Sequence, residues 1–287
     1  MSLDTAMDNK DLEQAVQILE FPTFTAKVTK FIGKPMELAL DALPNTVKQK
    51  VGEYTEVCMK AAFHAVLLTV NKERRFQKAH NLVHKGLVTA TGAAGGFFGG
   101  LTMALELPVS TGIMMRSIAE IAREKGEDLT TTESRLECIS VLGLDTSSQG
   151  SSADTNSSRY FYVRSSMAKE ITKAAEYLAA NAIGDESAPV VVQFLSKVAE
   201  RFGIQLSDKM AAELVPIVGA VAGGGINLMF IDHFQRIATG HFTVRKLERK
   251  YGQARVQTEY QTILNRLRAK TEHIVYQFEE VAATAEE

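Results

Sequence analysis

Cysteine is scarce in this chain: Cys58 and Cys138 are the two in 287 residues, eighty positions apart, each inside an apolar helical pattern. That spacing excludes a disulfide framework and a CxxC metal or redox site, and two buried free thiols are the expected reading. An excess of charge is lacking too. A formal charge of −2 offers no basic footprint for phosphate, so nucleic acid is not expected as the partner. Catalytic signatures are missing as well: there is no GxSxG elbow, no GxxxxGK phosphate loop and no GxGxxG fingerprint, in spite of 20 glycines. The N-terminus, Met1-Ser-Leu-Asp-Thr-Ala-Met-Asp8, is polar and acidic where a secretory signal needs basic residues and then an apolar run. It predicts a cytoplasmic protein.

What is present is helical patterning around two uncharged runs. In the first, Gly92, Gly95, Gly96, Gly99 and Gly100 fall at i, i+3, i+4, i+7 and i+8, which puts all of them on one helical stripe. Glycine inside a helix costs roughly 1 kcal/mol relative to alanine, so this stripe implies a compensating close approach by another helix backbone. The second run covers residues 214–231 and holds Gly219, Gly223 and Gly225; Glu106 and Asp232 each follow seven residues after a glycine of their run. Both runs approach the roughly 20 residues of a membrane span, but the six glycines in 86–105 make that stretch weakly lipophilic and favour a buried core. The expected fold is therefore all-α: a single helical domain with two central glycine-bearing apolar helices packed together and amphipathic helices around them.

Elsewhere, apolar residues recur at helical spacing over 10–85, with turns at Pro22, Gly33-Lys34-Pro35 and Leu43-Pro44-Asn45. Pro108 is expected to end one helix and start another that runs to Lys125, with Gly126 as its C-cap. Thr130-Thr-Thr-Glu133 matches a capping box. Residues 145–158 have no large apolar side chain and read as a mobile serine-rich loop. Helices are then expected over 167–182, 189–202 and from 207 onward, closed by Gly184 and Gly203, with Val190-Val-Val192 as a helix start after Pro189 rather than a strand. Long charged helices fill the remainder, with a break at Gly252.

The chain resembles the EcsC protein family. The motifs are Gly95-Gly-Phe-Phe-Gly-Gly100, Glu106-Leu-Pro108, Arg116-Ser-Ile-Ala-Glu-Ile-Ala122, Pro216-Ile-Val-Gly219, Gly223-Gly-Gly-Ile-Asn227, Asp232-His233 and the segment from His241 to Gly252. The resemblance covers roughly 20–255, leaving a polar lead with the first helix at 1–19 and a charged C-terminal helix at 256–287. It implies an accessory role near a membrane transport or secretion system, because the family takes its name from a protein encoded beside ABC transporter components. One departure is Glu106, where the family pattern carries aspartate.

Two groups of residues then qualify as sites. Glu106, Arg116, Asn227, Asp232, His233 and His241 are expected to meet as a buried polar cluster, read first as a salt-bridge network that ties helix ends. Arg236, Arg245, Lys246, Arg249 and Lys250 follow the second apolar run and resemble a juxtamembrane segment drawn to anionic lipid, with a solvated helix face as the alternative. His80 and His84 at i and i+4 have the spacing of zinc ligands, but the lysines and Arg75 nearby favour a solvated face. No catalytic residue, metal or cofactor is assigned. The leading expectation is a non-enzymatic cytoplasmic protein, peripheral at the inner face of the membrane, whose partner is the membrane surface or a transport complex. Two alternatives stay open: a metal-dependent hydrolase built on Glu106, Asp232, His233 and His241, and a lipid-binding carrier.

Overall fold

Local chemistry sets most of the helix ends. The computed structural model describes residues 6–21, 23–33, 35–68, 100–145, 157–181, 185–214 and 221–285. Helices α1 (Ala6–Glu20), α2 (Phe24–Ile32), α3 (Met36–Asp41) and α4 (Asn45–Phe63) follow in order, with Gly33 and Leu43-Pro44 between helices as expected, and Pro22 and Lys34 lie outside the described residues. Thr23 caps α2 by accepting from Ala26 N at 3.2 Å. Gly33 ends the same helix in the left-handed region, at φ 65°. After α4 comes a π turn, His64–Leu68, where Arg135 Nη1 donates to Leu67 O at 3.0 Å and satisfies a carbonyl the helix end leaves open.

The order continues with α5 (Gly100–Glu124), α6 (Thr132–Ser140), a 3₁₀ turn (Val141–Gly143), α7 (Arg159–Ala180), α8 (Pro189–Leu214), α9 (Val221–Tyr251) and α10 (Gln253–Ala285). The chain is all-α, with no strand among the described residues. Gly126, at φ 87°, closes α5 as expected: Gly126 N bonds Arg123 O at 3.0 Å and Glu127 N bonds Ala122 O at 2.9 Å, the two reverse bonds of a Schellman ending. Gly252, at φ 85°, separates α9 from α10.

Several expected boundaries move. Pro108 lies inside α5 instead of between two helices. Packing of α5 between α4 and α9 holds the helix through the proline, and in the same turn the Ser110 hydroxyl donates to Glu106 O at 2.8 Å. Gly203 lies inside a continuous α8, which packing against α2, α3, α4 and α7 holds through the glycine. The capping residue of α6 is Thr131, which accepts from Ser134 N, so the cap is displaced by one position from the sequence match. Helix α7 begins at Arg159, eight residues early, since Ser158 caps it by accepting from Phe161 N. Asp145 and Ser158, both outside helices, are buried anchors; residues 146–156, between them, lie outside the described residues, as does Gly184.

Helix α9 is the axis of the fold, packed by α1, α2, α5, α8 and α10. Helix α5 runs alongside it in the same direction: Gln235 Nε2 donates to Ser117 Oγ at 2.7 Å, and farther along Arg249 Nη2 donates to Lys125 O at 2.7 Å. Phe24, Phe202, Phe230 and Phe234 form an edge-to-face aromatic layer at its start, with ring centroids 5.1–5.8 Å apart. Both terminal helices enter the same core, through Leu12, Val16 and Leu19 of α1 and Val256, Tyr260 and Leu264 of α10. Glu20 links them: its Oε1 accepts from Ser158 Oγ at 2.7 Å and from Tyr260 OH at 3.2 Å.

Helices α5 and α9 thus pack on one another through polar residues beyond the two uncharged runs, which lie largely outside the described residues. Gly92, Gly95, Gly96, Gly99 and Gly219 lie outside the described residues, Gly100 opens α5 and Gly223 lies in the first turn of α9. A Cβ on Gly225 would meet the Phe31 ring at 3.3 Å, a side chain and not the neighbouring backbone expected there. The tightest approach is at Gly240, where α1 crosses α9 and an added Cβ would stand 2.9 Å from Leu19 Cγ. By contrast, a Cβ on Gly52 meets nothing within 4 Å. Gly52→Ala is expected to stabilise by about 1 kcal/mol through helix propensity, whereas Gly240→Ala is expected to destabilise, since overpacking of about 1–3 kcal/mol outweighs that gain. Thermal melts of the two variants should move in opposite directions; shifts of the same sign would contradict the packing at Gly240.

Candidate functional site

Three polar centres are spaced along α9. At the first, the Lys209 ammonium from α8 is wholly buried, 3.2 Å from Glu106 Oε1 of α5 and 2.8 Å from Glu213 Oε1 one turn on, with the Phe230 ring centroid 5.8 Å away. Leu206, Met210, Ala211 and Ala212 around it are buried too, so Lys209 has no exit to water and two carboxylates replace its hydration. Burial works against its charge, but Glu213 and Glu106 outweigh that and hold its pKa above the ordinary value. Burial and the charge of Glu106 push the Glu213 carboxyl up against the opposing ammonium.

At the second centre His233 Nε2 lies 2.5 Å from Asp145 Oδ2, and Lys27 Nζ lies 3.5 Å from Nδ1. An ammonium only donates, so Nδ1 accepts and the Nε2–H is directed to Asp145, a tautomer assigned from the hydrogen-bond network. The same Asp145 oxygen accepts from Phe24 N at 3.4 Å, in the first turn of α2. Nearby, Asp208 accepts from Thr25 Oγ1 at 2.5 Å; burial pushes its carboxyl up to about 6 against that hydrogen bond, and the Asp145 charge adds to the rise.

The third centre is the largest. His241 Nδ1 lies 2.9 Å from Tyr160 OH, and its Nε2 lies 3.3 Å from Glu137 Oε2. Burial holds the imidazole below its ordinary pKa, against the pull of Glu137, so His241 is neutral at pH 7. Arg245 bridges two acids: Nε and Nη2 donate to Glu127 at 2.8 and 3.1 Å, and Nη1 donates to Glu137 Oε1 at 2.9 Å. Arg249 also donates to Glu127. Arg164 forms a two-pronged pair with Glu248 at 2.8 Å on each arm. Burial alone would raise Glu137, yet contact with His241 and the charges of Arg245 and Arg164 bring its carboxyl down to about 2.

Away from α9 lies an open groove of about 580 Å³ between α4 and α8. Its floor is Val51, Thr55, Met59, Leu195, Ala199 and Gly203. The Thr55 hydroxyl donates to its own helix at Val51 O, 2.7 Å away, so the floor presents carbon. Glu56, Glu186, Glu200 and Lys60 stand on the rim.

The sequence model of the EcsC protein family matches residues 11–247. The chain belongs to the EcsC protein family. No curated protein and no solved structure matches it. The matched part of this EcsC chain contains the whole groove and, apart from Glu248 and Arg249, every residue of the three centres. Sequence motifs that carried the resemblance, Glu106-Leu-Pro108, Asp232-His233 and the stretch from His241, mark where α5 and α9 meet their polar partners.

The single cluster expected of Glu106, Arg116, Asn227, Asp232, His233 and His241 does not form. Eight residues separate His233 from His241 on one helix, about 12 Å of rise, and Glu106 pairs instead with Lys209. Asn227 is buried, Asp232 half-buried near Lys27, and Arg116 exposed on α5. Among the described residues no three His, Cys, Asp or Glu side chains converge to hold a metal ion; His80 and His84 lie outside them.

The basic group is divided as well. Arg245 and Arg249 are engaged by Glu127 and Glu137, and Lys250 pairs with Asp8 at 2.6 Å, because a helix that forms the axis of the fold turns these residues toward neighbouring carboxylates. Arg236, Lys246, Arg249 and Lys250 are exposed, the last two with their charges facing Glu127 and Asp8 at the surface, and Arg245 is half-buried. No described helix is long and apolar enough to cross a membrane. Sequence reasoning missed Lys209, Asp145, Glu137 and Glu20. Lys209 alone had a local signal, as a lysine between Leu206 and Met210 with Glu213 at i+4.

Proposed function

We propose that this EcsC-family chain is a non-enzymatic accessory protein on the cytoplasmic side of a membrane, held at a transport or secretion complex by contact with protein rather than by lipid headgroups. One observation carries this reading: Lys209 and Arg245 are closed on Glu106, Glu213, Glu127 and Glu137 inside the fold, whereas the α4–α8 groove presents apolar surface outward. Charged side chains that are closed on each other serve as ties between helices. Headgroup attraction of about 1 kcal/mol per basic residue is reduced by the closure of Arg245 on Glu127 and Glu137 and by the surface pairing of the exposed Arg249 and Lys250 with Glu127 and Asp8. The lipid-carrier alternative is disfavoured by the rim, where Glu56, Glu186 and Glu200 outnumber Lys60 and repel an anionic head.

The test compares three surfaces. Purified chain is mixed with inside-out membrane vesicles of its source cell, with the same vesicles shaved by protease, and with liposomes of anionic lipid alone. Sedimentation with native vesicles is expected to survive a high-salt wash and to disappear after shaving, and liposomes should leave the chain in the supernatant. Equal sedimentation with liposomes, or none with native vesicles, would overturn the reading.

A further inference from the structure

Both helices that border the α4–α8 groove offer a face of low side chains to it. On α4 the lining positions are Val51, Gly52, Thr55, Glu56, Met59 and Lys60, one helical face; on α8 they run from Val192 through Ser196 and Ala199 to Gly203 at the same period. A Cβ on Gly52 would point into open space, so the floor is lowest there. Val192, 44 % exposed, extends the apolar surface as a lip. The lined stretches, nine steps on α4 and eleven on α8, are about 14 and 17 Å long at 1.5 Å per residue, the length of roughly three helical turns.

The rim then selects the occupant. Glu56, Glu186 and Glu200 against Lys60 leave an excess of two negative charges. Glu56 pairs with Lys60 at 2.9 Å, so an acid of this rim already draws an ammonium to it, and Glu186 Oε2 lies 3.0 Å from His64 Nε2. A second copy of the chain, docked about a two-fold axis, would set one acidic rim against another. An acyl chain brings no charge to match the rim. An amphipathic helix with basic residues flanking its apolar stripe matches both floor and rim, the helix-in-groove mode of recognition.

We propose that the α4–α8 groove receives one helix of about three turns from a partner protein, with its apolar stripe on the groove floor and lysine or arginine against Glu56, Glu186 and Glu200. This inference rests on the accessory-protein reading and names the chemistry of the partner. Ser196 and Glu200 are exposed on α8 and Glu56 on α4, so the groove can be altered without touching the core.

The experiment is a selection. A displayed library of amphipathic helices, with flanking positions randomised between acidic, neutral and basic residues, is selected on the full-length chain. Enriched sequences are expected to carry apolar residues at i, i+3, i+4 and i+7 with a net positive flank, and Ser196→Trp should weaken them by about tenfold or more. The Glu56→Lys/Glu200→Lys variant should shift enrichment to acidic flanks. Melting of each variant is followed by circular dichroism and is expected to match the wild type. No enrichment, binders indifferent to Ser196→Trp, binders without a basic flank, or a dimer of the chain that Ser196→Trp dissolves would each overturn the proposal. Failure of the selection with vesicle sedimentation intact removes the groove and leaves the accessory reading; the reverse removes the accessory reading and leaves a helix-binding groove.

Discussion

Lys209→Met is expected to lower the melting midpoint by on the order of 10 °C. The substitution keeps the volume of the side chain and removes the one ammonium that faces Glu106 and Glu213. Breaking a buried pair from one side costs about 3–5 kcal/mol, because the remaining charge is left without solvent or partner. At roughly 2–4 °C per kcal/mol for a chain approaching this size, the shift follows. The loss should depend on pH with a definite sign. Without Lys209, burial and the charge of Glu106 hold the Glu213 carboxyl above its ordinary value with nothing to oppose them. Stability is then greatest at low pH and falls as pH rises through the raised pKa, so the deficit is larger at pH 8 than at pH 5. Replacing all three residues by apolar ones, Lys209→Met/Glu106→Leu/Glu213→Leu, should recover most of the loss, since a well-packed apolar substitute for a buried ionic triad is often neutral or better. Thermal denaturation of the single and triple variants at both pH values checks this. A single variant that melts like the wild type at pH 8 would remove the triad from the account.

The comparison of sequence with structure turns on range. Caps at Gly33, Gly126 and Gly252 were legible because each depends on a few neighbouring residues and on the left-handed backbone that glycine accepts. Pro108 and Gly203 misled for the same reason: their local preference is to interrupt, and packing by α4, α8 and α9 overrides it. In the polar centres, Glu106, His233 and His241 were recognisable as polar residues on apolar helices, but their partners were not. Asp145 lies 88 residues from His233, and Glu106 lies 103 residues from Lys209. No spacing rule connects such pairs. The close approach at Gly240 was equally hidden, since a lone glycine in a charged, amphipathic stretch gives no sign of the α1 residues that cross it. Of the motifs that carry the resemblance, Glu106-Leu-Pro108, Asp232-His233 and the stretch from His241 coincide with helix contacts rather than with a convergent set of reactive groups, and residues 95–99 and 216–219 lie outside the described residues.

Arg245→Ala is the second large effect, and it carries its own acid signature. Arg245 is the bridge between Glu127 and Glu137, so its loss leaves Glu127 with Arg249 and the Ser134 hydroxyl, and Glu137 with His241, the Ser140 hydroxyl and the more distant charge of Arg164. A cost of about 3–5 kcal/mol is expected. In the wild type, Glu137 has a folded pKa of about 2 against an ordinary value of 4.5. Its contribution is therefore complete above the unfolded pKa and is lost as pH falls from about 4.5 toward 2. In Arg245→Ala burial is no longer outweighed, the two carboxyls titrate higher, and the acid-induced loss below pH 4.5 should shrink. Arg245→Lys keeps the charge but cannot fork between two acids, so an intermediate stability is expected. Urea midpoints measured from pH 2.5 to pH 7 separate these cases. If Arg245→Ala kept both the wild-type midpoint and the wild-type acid limb, the bridge would not be holding α6 and α9 together. The same result would return Arg245 to the pool of cations facing outward, and lipid headgroups would again compete with protein as the surface this chain recognises.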